Sequence, residues 1–297
     1  MSKKKSKKPI PKTLTRRTPW QDAMFRFRQD KLAMAGLWIL VAILLITILG
    51  AIFLDYDTQV IEQNVRNKYA PPSAEHWFGT DGFGRDIFAR VVWGSRYSLL
   101  IGFAATFSSL FIGGFLGAIA GYYGGKIDNV IMRIMDMFIA IPTILLAIAI
   151  VSALGPSLLN LIMAICISNV PGYARLIRSS VLTIKDNDFV EAARATGASN
   201  RKIIMTHILP NTLAPIIVQA TLGVGYAISS ASGLSFLGLG IMPPDPEWGN
   251  MLAEGQDVIR YTPWPVIFPG LAIMITVLAL NLVGDGLRDS IDPKLKR

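Results

Sequence analysis

An all-α, polytopic membrane protein with six transmembrane helices is expected from three properties of this chain. Hydrophobic residues make up 52% of its 297 positions and charged residues only 16%, too apolar a balance for an ordinary soluble domain. The excess is gathered into long charge-poor runs, each near the roughly 20 residues an α-helix needs to cross the hydrocarbon core. Lys and Arg are divided unevenly between the connections that alternate along those runs, which gives the bundle an orientation.

Taken in order, spans are expected at about residues 32–54, 97–121, 134–154, 157–174, 212–233 and 266–284. The first run is too long for the apolar region of a cleavable signal peptide, and no small-residue cleavage site follows closely, so it should persist as a helix. In the second, Gly113, Gly117, Gly121 and Gly125 recur at intervals of four beside Gly114. This stripe lets another helix approach closely. It is no phosphate-binding loop, because Ala120 stands where the first glycine belongs and Lys126 is followed by Ile127.

Arg133 and Asp136, three residues apart, should pair near the inner end of the third span and anchor it; a proton relay is the sharper alternative. Pro142 should kink or break that span, with neighbours satisfying the freed backbone groups. The fourth is short and carries Asn160, Asn169 and Pro171, which suits burial among other helices. It also holds Cys166, the single cysteine, so no intrachain disulfide can form. After the fifth span, the glycines and prolines between residues 238 and 246 force an irregular segment. Trp248 and Trp264 suit an aromatic belt at the membrane boundary.

Basic residues concentrate before the first span, at Lys126 and Arg133, between Arg175 and Lys202, and at the C-terminus, whereas Arg66, Lys68, Arg85, Arg90, Arg96 and Arg260 are all that the alternate side carries. The positive-inside rule therefore places both termini and the loop after the fourth span in the cytoplasm. That orientation, with attraction of the basic cluster at residues 3–17 to anionic membrane lipid, accounts for the net charge of +9 without a nucleic-acid partner.

The outer loop at residues 55–96 contains the string HWFGTDGFGRD. Gly79, Gly82 and Gly84 permit tight turns, and Asp81, Arg85 and Asp86 are expected to pair with one another. Phe83 and Arg85 occupy alternating positions that a calcium loop needs for ligands, and no water-excluding pocket supports a paired-carboxylate hydrolase. A compact, turn-rich cap is expected. The two histidines, His76 and His207, fall on opposite sides of the membrane, so no zinc site is expected, and no nucleophile–base constellation marks a catalytic residue.

The stretch EAARATGASNRKIIMTHILPN, from Glu191 to Asn211, is polar and basic between two apolar runs. Asp188 and Glu191 have capping-box spacing for a short helix that Gly197 would stop. A second helix should start at Ser199 with Ile203, Ile204, Ile208 and Leu209 as its apolar stripe, ending at Pro210. The result is a helix–turn–helix knob beside the membrane.

Glu191-Ala192-Ala193, Gly197 and Leu209-Pro210 together resemble the EAA motif of binding-protein-dependent ABC importer permeases. His207 replaces an aliphatic residue of the general pattern, and Ile208 is expected to fill the same apolar pocket. A histidine before Ile-Leu-Pro-Asn is similar to the peptide-importing branch. So are the HWFGTDGFGRD string, the run from Leu234 to Gly240 followed by Trp248-Gly249-Asn250, and Gly284-Asp285, Leu287-Arg288-Asp289 and Asp292-Pro293. These matches extend from about Trp77 to Pro293.

The resemblance implies a type I ABC importer permease fold and the C-type subunit of an oligopeptide or dipeptide system in a bacterial cytoplasmic membrane. It divides the chain into a basic cytoplasmic tail at 1–31, a first helix and extracytoplasmic loop at 32–96, a five-helix core at 97–287 with a coupling loop at 175–211, and a cytoplasmic tail at 288–297. Glu191, Ala192, Ala193, Gly197, Leu209 and Pro210 would couple to the ATPase. Implied partners are a second homologous permease, two cytoplasmic ABC ATPases that use ATP and Mg, and an extracytoplasmic substrate-binding protein. The chain itself would hold no cofactor or metal, and its substrate-binding residues remain unassigned. Permeases for nickel chelates and glycans are similar. An ion-coupled secondary transporter would show mid-membrane ionisable pairs or two related halves, and neither is evident here.

Overall fold

The computed structural model describes residues 19–291; the basic cluster at 3–17 and the Asp292-Pro293 pair lie outside them. Helix α1 (Pro19–Gln29) opens the described chain, in a stretch where the sequence suggested only a basic tail. Asp30 separates it from α2 (Lys31–Phe53) and caps α2 by accepting from the backbone N–H groups of Leu32 and Ala33 at 2.9 and 3.1 Å, satisfying donors that a helix start leaves free.

The turn-rich loop at residues 54–86 follows, with a π turn at Tyr56–Val60 and a 3-10 turn at Val65–Asn67. Asp86 then caps α3 (Ile87–Tyr123) through the amide of Ala89 at 2.8 Å. The second span thus begins about three turns before the expected boundary. Gly124, at φ +65°, and Gly125, at φ +53°, break the chain before α4 (Gly125–Ile139).

Pro142 separates α4 from α5 (Thr143–Leu154), and the two helices are bent by 84°. The expected third span is therefore a broken pair. Helix α6 (Leu158–Ile184) runs ten residues past its expected end, and 56% of its apolar window is buried against 11% for α2. Pro171 is buried and Asn160 and Asn169 are partly buried, while Arg175 and Ser179 are exposed.

Helices α7 (Asp188–Ala195) and α8 (Asn200–Lys202) form the knob. A π-helical turn, Ile203–Ile208, carries α8 into α9 (Leu209–Phe236). Pro210 does not end the helix as expected. It sits within the first turn of α9, where the wider π turn removes the clash and the missing hydrogen bond that a proline imposes on a regular helix. A short α10 (Trp248–Gly255) precedes α11 (Trp264–Ile291).

Among the described residues, five helices are long and apolar enough to cross a membrane, six with the bent pair counted as one span, and there is no strand beyond the isolated Thr80–Asp86 bridge. Ile101, Ala147, Val151, Leu161, Ile165, Ala227 and Leu234 fill the centre where α3, α5, α6 and α9 meet. Helix α2 lies outside it against α11, so close that a Cβ on Gly36 would fall 2.8 Å from Leu282 Cβ.

Candidate functional site

The knob is built from a sharp helix stop. Helix α7 ends at Ala195, and Gly197 takes φ +79°. The Gly197 amide donates to Arg194 O at 3.0 Å and the Ala198 amide to Ala193 O at 3.1 Å, the paired bonds of a Schellman motif. Ser199 then caps α8, its hydroxyl accepting from the Lys202 amide. The expected capping box is absent: Asn187 is the N-cap residue, without a side-chain bond, and Asp188 is already helical. Both Asp188 and Glu191 thereby lie in the first turn, where negative charge suits the helix dipole.

The knob has two faces. Val190, Ala193, Ile203 and Ile208 are buried in one apolar cluster with Ala118 of α3 and Ile177 and Val181 of α6. Ile208 is fully buried and His207 only partly, so the isoleucine fills the apolar pocket beside the departing histidine. Leu209 packs at the edge of this cluster and Pro210 is exposed. Glu191, Ala192, Arg194, Thr196 and Gly197 face outward, with Phe189 and Met205 exposed nearby. Tyr122 at the end of α3 donates to Asn200 Oδ1 at 2.7 Å, a polar tie between the knob and α3 beside the apolar cluster.

The glycine stripe faces α6. A Cβ on Gly113 would lie 2.6 Å from Val170 O, and one on Gly121 2.9 Å from Arg178 O. At Gly117 it would meet the carbonyl group of Ala174, with Ala174 C at 3.0 Å. Gly125 stands apart: nothing lies within 4 Å of its Cβ position, because the chain has turned out of α3 by then.

Ion pairs brace the knob's end of the bundle differently from the expectation. Asp136 pairs with Arg175 of α6 at 2.6 Å rather than with Arg133, and both partners are about half exposed. Asp128, one helical turn from the start of α4, takes both Arg178 nitrogens at 2.5 and 2.6 Å. Sequence spacing points to partners on one helix; here the carboxylates of α4 reach across to α6.

At the opposite end the loop between α2 and α3 closes on a buried charge network. Asp81 accepts from Arg85 Nε at 2.6 Å and lies 3.4 Å from Arg90, while Glu254 of α10 meets Arg85 at 2.7 Å and Arg90 at 3.2 Å. Arg85 and Arg90 are 2% and 0% exposed. Asp86 does not join them; it bonds His76 at 2.8 Å and caps α3. Glu247 was not singled out by sequence, yet it is fully buried, caps α10 through the amides of Gly249 and Asn250, and accepts from Ser98 of α3. Its position just before Trp248-Gly249-Asn250, seven residues ahead of Glu254, was the available signal. Tyr56 also donates to Asp245, and burial followed by that carboxylate pushes the phenol well above its usual pKa.

No group of three metal-ligating side chains occurs among the described residues. Within the bundle, a small cleft between α5, α6 and α9 is lined by Thr143, Ser168, Asn169, Tyr226 and Ser230.

Residues 113–297 match the family model of the binding-protein-dependent transport system inner membrane component, and residues 18–72 match the N-terminal TM domain of oligopeptide transport permease C. The dipeptide transport system permease protein DppC of Alkalihalophilus pseudofirmus is 52% identical over 279 residues, 94% of this chain and 91% of the relative. The glutathione transport system permease protein GsiD of Escherichia coli is 45% identical over 282 residues, 94% and 92% of the two chains. An inward-facing structure of the MetNI methionine ABC transporter superposes with a TM-score of 0.57 at 19% identity, covering 68% of this chain and 96% of that one. A crystal structure of an amino acid ABC transporter with histidines gives 0.53 at 16%, covering 68% and 94%. At these identities the structural likeness speaks for the fold alone.

Proposed function

We propose, since this chain belongs to the family of binding-protein-dependent transport system inner membrane components, that it is the C-type permease subunit of an ATP-driven importer of short peptides. The observation that carries the peptide assignment is 52% identity with a dipeptide permease along nearly the whole of both chains. Glutathione, the cargo in the other relative's name, is itself a tripeptide. The permease performs no bond chemistry. A cytoplasmic ATPase supplies it, using ATP and Mg, and an extracytoplasmic binding protein delivers cargo.

The outward face of α7 is the docking element for that ATPase. Glu191 offers charge there, Ala192 leaves space for close approach, and Phe189 and Met205 offer exposed apolar surface of the kind that marks an interaction site. Gly197 fixes the turn, while Leu209 and Pro210 join the knob to α9. Motion imposed on this face reaches α3 and α6 through the cluster of Val190, Ala193, Ile203 and Ile208, because close-packed interiors transmit displacement rather than absorb it.

Cargo passes beside Ser168, Asn169, Tyr226 and Ser230. Polar side chains at membrane depth are costly against lipid and face an interior or a water-filled path instead. The path is completed by a second, homologous permease, and two ATPases serve the pair. Both termini and the knob are cytoplasmic under the positive-inside rule.

The test is labelled-dipeptide accumulation in proteoliposomes, with each component omitted in turn. Uptake is expected only when this chain, its partner permease, the ATPases, the binding protein and ATP are all present. Accumulation by this chain alone under an imposed proton gradient would replace the proposal with a secondary transporter. A receptor and complex that move nickel chelates but not dipeptides or glutathione would keep the transporter class and overturn the cargo.

A further inference from the structure

A cavity of about 750 Å³ opens where α1, α9 and α11 meet, at the end of the bundle that carries the knob. Trp20 and Arg26 of α1 line one side, Val218 and Leu222 of α9 another, and Arg288 of α11 a third. The walls are mainly apolar, yet two guanidinium groups face the space. Neither forms an ion pair among the described residues, and Arg26 Nη1 is buried without a hydrogen-bond partner. A desolvated donor on a cation is expensive to leave unmet, so the site is built for an anion. Asp22 also lines the cavity, which still leaves an excess of positive charge.

The position of α1 indicates which anion. Phe27 is 5% exposed and packs with Ala33 and Val283, holding α1 against α2 and α11. Trp20 and Met24, seven and three residues before Phe27 on the same helical stripe, and Phe25 are 53%, 53% and 46% exposed. A short helix with basic residues in its last turn and half-exposed aromatic and methionine side chains belongs in the plane of the membrane boundary. The cavity behind it therefore opens at headgroup depth, with cations near the boundary and aliphatic walls beyond. Basic pockets between membrane helices at this level suit lipid headgroups.

We propose that this cavity binds one anionic phospholipid, with its phosphate between Arg26 and Arg288 and acyl carbons along Val218 and Leu222. The chain of inference needs only that the protein sits in a membrane and is independent of its cargo. Asn211 and Pro210, at the junction of the knob with α9, form part of the same wall, so the bound lipid would rest against the base of the knob.

The full-length chain is reconstituted into phosphatidylcholine vesicles containing graded phosphatidylglycerol, re-extracted in a neutral detergent, and its retained lipid counted by mass spectrometry of the intact protein. Retention of about one phosphatidylglycerol is expected, with Arg26→Gln/Arg288→Gln lowering it at least fivefold and Lys126→Gln leaving it unchanged. Ala214→Phe fills the cavity without touching charge and should lower retention equally, which guards against misfolding of the double variant. The basic N-terminal residues are the same in every variant, so they cannot produce these differences. Retention equal to the parent in both cavity variants overturns the proposal. Displacement of the lipid by millimolar inorganic phosphate, but not by salt of equal ionic strength, would assign the site to free phosphate and overturn the lipid as its occupant.

Discussion

Adding one methyl group to Gly117 tests whether α3 and α6 are held at the separation their backbones show. In Gly117→Ala the new Cβ would fall 3.0 Å from Ala174 C and 3.1 Å from Ala174 Cα, against the roughly 3.5–4.0 Å at which carbon atoms rest. The obstacle is main chain within α6, so no rotamer change relieves it. The helices must part by about 0.5–1 Å, and overpacking of this kind costs about 1–3 kcal/mol. Because main chain cannot yield, the cost falls in the upper part of that range, about 2–3 kcal/mol; alanine returns about 0.5–1 kcal/mol through its better helix propensity, which leaves a net loss of about 1–2.5 kcal/mol. At roughly 2–4 °C per kcal/mol, a thermal-shift measurement on the purified chain should show a fall of about 2–10 °C. Gly172→Ala is the control: nothing lies within 4 Å of its Cβ position in α6, so only the propensity gain operates and the midpoint should hold or rise. An unchanged or raised midpoint for Gly117→Ala, with normal membrane insertion, would refute the close contact.

Three further outcomes follow from the same geometry. Gly197 has open space around its Cβ position but φ +79°, so Gly197→Val strains only the backbone, by about 1–2 kcal/mol or more for a β-branched residue. Transport should drop with insertion intact, Gly197→Asn should be milder, and hydrogen exchange at the Ala198 amide should quicken; unaltered exchange and transport would count against the turn's role. Asp81→Asn leaves the buried Arg85 and Arg90 with Glu254 alone and should destabilise by about 3–5 kcal/mol, whereas a midpoint within a degree of the parent would mean that water reaches the network. Asp136→Asn should be almost neutral, since exposed pairs are worth about 0–1 kcal/mol, while Asp128→Asn breaks a bidentate, partly buried pair and should cost more; the reverse order in thermal denaturation would contradict the observed pairing.

The spans were legible because hydropathy reports burial from water, whether lipid or protein does the burying. Their ends were not. Helix α3 begins at Ile87 because Asp86 caps it there, and Arg90 and Arg96 in its first turns hide that start from hydropathy, although Arg90 is paired inside the protein. Gly197 was readable because positive φ is a local demand, and Gly113, Gly117 and Gly121 because their period is helical. Gly125 shares the period but not the helix, which sequence spacing alone does not reveal. Pro142 broke its helix and Pro210 did not; the difference is a π turn that the residues around Pro210 do not announce. The partners of Asp136, Asp86 and Glu254 lie 39, 10 and 169 positions away, beyond the reach of local spacing rules, and α1 looked like tail because its apolar residues are interrupted by charged and amide ones and form no span-length run.

The passage from α8 through the π turn into α9 has a mechanical consequence. From Asn200 to Phe236 the chain is one unbroken run of 37 helical residues, roughly 50–55 Å of stiff backbone. One end is in the knob and the other at the Gly-rich segment before α10, on the far side of the bundle. If such a rod tilts by about 10° around its middle, each end swings about 5 Å in opposite directions. A loop at Pro210 would have dissipated that swing as local bending. With the helix continuous, a push at Asn200 has a fixed geometric counterpart at Phe236, so opening at one face and closing at the other become a single movement.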